Sequence, residues 1–87
     1  MKIYDYRGRK NLCGDRVREM RQKKRLSQSG LAARLQLKEI VLERDSISRI
    51  ESGTRFVSDY ELKALSEILD VSIEWLLASE EQTESHK

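Results

Sequence analysis

The chain has 87 residues and carries 17 Lys and Arg against 15 Asp and Glu, which leaves a net charge of only +2. A chain of this length forms one small domain, so we expect no second catalytic or ligand-sensing domain. No apolar run is long enough to cross a membrane, and no signal peptide is expected. The composition therefore predicts a cytoplasmic protein with no membrane partner.

The residues that usually carry catalytic or cofactor chemistry are scarce. The one cysteine, Cys13, cannot form an internal disulfide, and the one histidine, His86, lies in a polar tail with no carboxylate or nucleophile placed around it. The four glycines are too scattered for a phosphate-binding loop. We therefore expect no enzyme activity, no metal and no cofactor, and we expect Cys13 to be a small core residue.

The two halves of the chain differ in charge. Residues 1–44 hold 13 Lys and Arg against 5 Asp and Glu, whereas residues 45–87 hold 4 against 10. Such a division is typical of a protein with one face for a polyanion, although two differently charged solvated surfaces would look the same.

The spacing of apolar residues predicts five helices. Cys13, Val17 and Met20 lie at helical spacing and predict a first helix from about residue 14 to Lys24. At four later places a hydrophobic residue before the N-cap is matched by another at the fourth helical position, a pattern that fixes a helix start. These N-cap residues are Ser27, Glu43, Ser58 and Ser72. Ser58 and Glu61 predict a capping box, Glu43 is a poor cap, and Gly53 predicts a left-handed end to the third helix.

Three segments carry a resemblance to a known family. LSQSGLAARL, SISRIESG and VSIEWLL, in this order, resemble the phage repressor and Cro-type helix-turn-helix family of bacterial and phage DNA-binding regulators. The resemblance covers residues 14–78 and implies an all-α, compact five-helix bundle of the lambda repressor-like type, with the third helix in the major groove. We expect an N-terminal extension over residues 1–12, the domain over residues 13–78 and an acidic polar tail over residues 79–87.

The resemblance also implies roles for individual residues. Four positions of the third helix face base edges in the family, and here they are Arg44, Asp45, Ser48 and Arg49. Gln28 matches a residue that holds a DNA phosphate at the start of the second helix, where free N–H groups favour an anion. Three more positions lie near the sugar-phosphate backbone, and here they are Ser46, Thr54 and Arg55. Arg21 and Glu51 match a buried ion pair that joins the first and third helices.

The chain departs from the family pattern at three places. Gly30 stands where a capping glutamate is common, and Arg25 stands where glycine is common. The connection from Gln36 to Leu42 is about five residues longer than the tight turn of the motif. Because Leu37, Ile40 and Val41 in this connection have helical spacing, we expect an extra helical turn that covers the core.

The leading functional hypothesis is sequence-specific binding of double-stranded DNA by a homodimeric transcriptional regulator, a repressor acting by operator occlusion at the bacterial nucleoid. The alternatives are an antitoxin or anti-repressor with a protein partner, and an adapter that contacts DNA weakly. We expect the aromatic residues Phe56, Tyr60 and Trp75 in the core or a subunit interface, and the dimer contact at the fifth helix. Residues 1–12 are expected to pack on the domain as a strap, the alternative being a basic arm in the minor groove.

Overall fold

A computed structural model describes residues 6–78, which form five helices as the sequence predicts. They are α1 (Gly14–Lys23), α2 (Gln28–Leu37), α3 (Arg44–Ser52), α4 (Asp59–Leu69) and α5 (Ile73–Leu77). The tail over residues 79–87, with His86, lies outside the described residues, and so do residues 1–5. No helix of the described part is long and apolar enough to span a bilayer.

The predicted helix starts are confirmed at all four staple positions. The N-cap residues of α2 to α5 are Ser27, Glu43, Ser58 and Ser72. Each of the three serine hydroxyls accepts a hydrogen bond from the backbone N–H three residues on. The side chain of Glu43 caps nothing, and Ser58 with Glu61 forms the expected capping box.

The ends of the first four helices share one geometry. A residue with positive φ follows each helix, and these residues are Arg25, Glu39, Gly53 and Asp70. In each case the next backbone N–H bonds back to a carbonyl five residues earlier, as in the Schellman motif. Gly53, with φ of 83°, is the only glycine of the four, as predicted. Arg25, with φ of 57°, adopts the left-handed conformation that favours glycine.

The expectation of an extra helical turn between α2 and α3 is wrong. Glu39 adopts φ of 65°, which ends the helix, and residues 40–43 carry no regular secondary structure. Leu42 is buried and Ile40 packs against the core, whereas Leu37 and Val41 are 83% and 77% exposed. The burial alternates along this segment, since Ile40 and Leu42 are covered and Val41 between them is exposed, and this is not the spacing of a helix.

The core collects apolar side chains from all five helices. Its fully buried members are Cys13, Val17, Leu31, Leu35, Ile47, Ile50, Leu65, Leu69 and Leu76. Helix α3 packs against both α1 and α2, and α4 packs behind α1 and α2. Gly14 is needed where α1 meets α3, because a Cβ atom there would collide with the carbonyl oxygen of Ile50.

The predictions for the other unusual side chains have mixed outcomes. Cys13 is a core residue as predicted, and burial raises the pKa of its thiol to about 11. Trp75 packs on the edge of the core. Phe56 and Tyr60 are not core residues, since they are 47% and 64% exposed.

Candidate nucleic-acid interface

Helix α3 divides sharply into a buried and an exposed face. Ile47 and Ile50 are fully buried, and Glu51 beside them is 6% exposed. The side chains that the sequence assigns to base edges lie on the other face, and Arg44, Asp45, Ser48 and Arg49 are all exposed. Ser46, assigned to the backbone, is half-buried. The helix is thus anchored by its apolar face and presents polar side chains outward.

Two of the exposed side chains on α3 contact each other. Nη2 of Arg49 lies 2.8 Å from Oδ2 of Asp45, one turn earlier on the helix. Both side chains remain largely exposed, so this pair contributes only a few tenths of a kcal/mol. The contact nevertheless holds the Arg49 guanidinium along the exposed face and leaves its other N–H donors available.

A nearly buried ion pair joins α1 to α3. Nε and Nη2 of Arg21 donate to the two carboxylate oxygens of Glu51, at 2.6 and 3.0 Å. Nη1 of Arg21 also donates to the carbonyl oxygen of Leu26, just before α2. The amide of Gln28, at the first residue of α2, donates to Glu51 at 3.2 Å. One carboxylate therefore links the first three helices.

Both residues of this ion pair line a cleft of about 280 Å³. The lining residues come from α1, α2 and α3 and are Arg18, Arg21, Gln28, Ser48, Glu51 and Ser52. The cleft brings the residue assigned to phosphate, Gln28, next to Ser48 on the exposed face of α3. The hydroxyl of Ser27 already accepts from the N–H of Gly30. The donors available for an anion are therefore the second amide hydrogen of Gln28 and the backbone N–H groups of Gln28 and Ser29.

The loop after α3 holds the remaining residues assigned to the DNA backbone. Thr54 is exposed, and its hydroxyl lies 3.0 Å from the hydroxyl of Ser52. Arg55 instead turns to α4, where it makes two bonds to the carboxylate of Glu61 at 3.0 and 3.2 Å. Burial alone would raise the pKa of Glu61, but Arg55 and the backbone N–H of Ser58 together hold it below its usual value. A phosphate contact by Arg55 would therefore compete with an existing pair.

Sequence reasoning missed the importance of Asn11 in the segment before α1. Its amide nitrogen donates to the carbonyl oxygens of Ile50 and Arg55, at 3.0 and 2.8 Å, and its oxygen accepts from Gly14 N–H at 2.9 Å. Asn11 thus ties the end of α3, the following loop and the start of α1 together. The only sequence signal was a capping-type residue shortly before a helix.

The neighbours of Asn11 lie on the same end of α3, and residues 9–11 are called the N-terminal strap below. The guanidinium of Arg9 lies so close over Gly53 that a Cβ atom there would collide with it. The backbone N–H of Lys10 donates to the carbonyl oxygen of Gly53 at 2.8 Å. Residues 9–11 thus pack on the domain through polar contacts. The expected apolar packing is wrong for Tyr6 and Leu12, which are exposed, and Ile3 and Tyr4 lie outside the described residues.

A family model described as a helix-turn-helix domain matches residues 13–76 of this chain. The chain belongs to the helix-turn-helix domain family. The match includes α1 to α4 and all of α5 except its last residue, Leu77. It begins two residues after Asn11, so the N-terminal strap lies outside it. No curated protein and no solved structure matches the chain.

Membership of the helix-turn-helix domain family points to DNA binding and to transcription regulation, and families of this type are typically not enzymes. In the helix-turn-helix motif the second helix of the pair enters the major groove while the first crosses the DNA backbone. Here that pair is α2 and α3. The exposed face of α3 and the start of α2 are therefore the candidate DNA-binding surfaces.

Proposed function

We propose that this protein is a sequence-specific regulator that binds double-stranded DNA as a homodimer and represses transcription by occupying its operator. The observation that carries the proposal is the exposed face of α3, whose arginines project from a helix that is anchored on its other side by Ile47, Ile50 and the Arg21–Glu51 pair. A base-reading helix needs this rigidity, because discrimination between bases depends on hydrogen bonds of fixed geometry.

Arg44 and Arg49 are proposed to read guanine, since a guanidinium can donate two hydrogen bonds to O6 and N7 in the major groove. Asp45 accepts from cytosine N4 or holds Arg49 in place, and the 2.8 Å contact between the two favours the second role. Ser48 is small enough to allow close approach. The proposed site fits a half-site that contains G·C pairs.

The proposed phosphate contacts surround this reading surface. Gln28 reaches a phosphate from the cleft beside α3, and Ser46 and Thr54 lie near the sugar-phosphate backbone. The sequence assigns Arg55 to a phosphate contact as well, but its two bonds to Glu61 make it the weakest of the four candidate phosphate contacts. Arg21 and Glu51 support the surface without touching DNA. We also propose that the protein is of the phage repressor and Cro type and that it acts at the nucleoid of a bacterial cell.

The proposed dimer contact lies at α5. Leu76 is fully buried within the chain, whereas Leu77 beside it remains 38% exposed and Ile73 is only partly covered. Equilibrium sedimentation of the pure protein at tens of micromolar, alone and with a palindromic duplex, tests this contact. A monomer in both conditions would refute it.

A protein-interaction role, of the antitoxin or anti-repressor kind, is the second candidate. Leu37 and Val41 favour it, because these large apolar side chains, at the end of α2 and in the connection that follows, are 83% and 77% exposed and offer apolar surface to a partner. Stable co-purification with a second protein, abolished by changing both residues to serine, would support this candidate over the repressor.

The decisive experiment for the leading proposal is selection of bound duplexes from a random DNA pool, because it yields both the half-site and the spacing. We expect a two-fold symmetric consensus that contains G·C pairs. The selected duplex should bind at least about a thousandfold more tightly than random duplex at physiological salt. Enrichment of no sequence would refute sequence-specific binding.

A further inference from the structure

The N-terminal strap places one lysine at the C-terminal end of α3. The backbone N–H of Lys10 is bonded to the carbonyl oxygen of Gly53, the residue that ends the helix. Its Nζ atom lies 5.3 Å from the centre of the Phe56 ring, which is itself exposed at 47%. Two contacts, one from the main chain and one from the side chain, thus hold an exposed cation beside the loop after α3.

The length of α3 places this end of the helix close to the DNA backbone in the proposed complex. A helix of nine residues is about 13 Å long, and the major groove is about 12 Å wide. When the start of the helix at Arg44 lies at the base edges, its other end therefore reaches the wall of the groove, where the phosphates are.

The C-terminal end of a helix by itself repels phosphates, because its free carbonyl groups carry partial negative charge. The N-terminal strap removes part of this charge, since Asn11 and the backbone N–H of Lys10 donate to three of the carbonyl oxygens at this end and in the following loop. The ammonium of Lys10 adds a positive charge at the same place. The exposed hydroxyls of Ser52 and Thr54 lie alongside.

The other cations near this end of α3 already have carboxylate partners. Arg9 lies 3.5 Å from Asp15, and Arg55 is bonded twice to Glu61. Among residues 6–78, no carboxylate lies within ion-pairing distance of Lys10. Within this part of the chain the charge of Lys10 is thus not offset by an ion pair, whereas the charge of Arg55 is already offset by Glu61.

We propose that Lys10, held by Gly53 and Phe56, is a DNA phosphate contact of this protein and takes the role that the family pattern assigns to Arg55. This inference rests on the proposed function and deepens it. The ligand is a backbone phosphate of duplex DNA, so the contact adds affinity without adding sequence preference. Lys10 lies outside the part of the chain that matches the helix-turn-helix domain family.

The salt dependence of duplex binding tests the proposal. The full-length parent, Lys10→Ala, Lys10→Arg and Arg55→Ala are compared on one mixed-sequence duplex over a series of KCl concentrations. Each lost contact between a cation and a phosphate should reduce the slope of log K against log salt by about 0.9. Lys63→Ala is the matched control, because Lys63 is an exposed lysine on α4 that pairs with Glu67.

We expect Lys10→Ala to reduce the slope of log K against log salt by about 0.9. Lys10→Arg, Arg55→Ala and Lys63→Ala should keep the slope of the parent. Lys10→Ala should also keep the thermal midpoint of the parent, because its bond to Gly53 comes from the main chain. An unchanged slope in Lys10→Ala, with normal binding by the parent, would overturn the Lys10 contact alone. A parent that binds no duplex at any salt concentration would overturn the proposed function and this contact together.

Discussion

The ion pair between Arg21 and Glu51 should be among the most sensitive points of this domain. Its two side chains are 11% and 5% exposed, so each charge depends on its partner and has little contact with water while the pair is intact. In Arg21→Met the carboxylate of Glu51 would keep only the amide of Gln28 as a donor. An uncompensated buried charge of this kind typically costs about 3–5 kcal/mol.

This loss is large for a small domain, whose total free energy of unfolding is about 5–15 kcal/mol. In a chain of this size each kcal/mol lowers the thermal midpoint by roughly 4–8 °C, so Arg21→Met should lower it by at least about 12 °C. The double variant Arg21→Met with Glu51→Met replaces both charges by apolar side chains of similar length. It should recover much of the loss, because no charge is then left buried.

Circular dichroism during thermal unfolding measures the thermal midpoint, and during urea unfolding it measures the free energy of unfolding. Lys24→Ala is the control, because it removes an ion pair with Asp70 in which the carboxylate side chain is 84% exposed. The control should change the free energy of unfolding by less than about 1 kcal/mol. A loss below about 1 kcal/mol in Arg21→Met, or a double variant no more stable than the single one, would refute the reasoning.

Four further predictions follow from individual side chains. Arg49→Ala should reduce the free energy of binding to the selected duplex by roughly 1–3 kcal/mol and that to random duplex by much less. Gln28→Ala should weaken binding to both duplexes equally. Equal losses on the two duplexes for Arg49→Ala would contradict its assignment to a base contact. Arg25→Gly should raise the free energy of unfolding by about 1 kcal/mol, measured by urea denaturation, because glycine adopts φ of 57° without steric cost; a loss of stability would contradict this. Because the pKa of Glu61 lies below its ordinary value of 4.5, its contribution to stability is complete above that pH and is lost as the pH falls through the lowered pKa. Glu61→Gln should therefore flatten the acid limb of the stability profile, and an unchanged acid limb would refute the prediction. The thiol of Cys13, with a pKa of about 11 and 1% exposure, should react with a thiol reagent at pH 8 only as fast as the domain opens; labelling at the rate of a free thiol would show that it is not buried.

The interactions that begin a helix are local, and for that reason the sequence alone predicted them here. A serine hydroxyl and the N–H that it caps are three residues apart, and the two apolar residues of a staple are five apart. The four N-caps, the capping box at Ser58 and the left-handed end at Gly53 all follow from such short-range patterns.

Helix ends were harder to read, because the usual signal was present only once. Glycine marks the left-handed position after α3, whereas Arg25, Glu39 and Asp70 adopt the same conformation without a characteristic side chain. The missed end at Glu39 led to the wrong expectation of a further helical turn. What ends α2 there is the burial of Ile40 and Leu42, which requires a core built from the other helices.

The surroundings of the proposed DNA surface were decided only by tertiary structure. The sequence identified the exposed positions of α3 from the family pattern, but it did not show that Arg55 is bound by Glu61 or that Lys10 lies beside Gly53. Asn11 bonds to carbonyl groups 39 and 44 residues away. The packing of α1 against α3 determines which carbonyl groups at the end of α3 are accessible to the polar segment before α1. The sequence does not show this packing, and for that reason it could not predict where the segment binds.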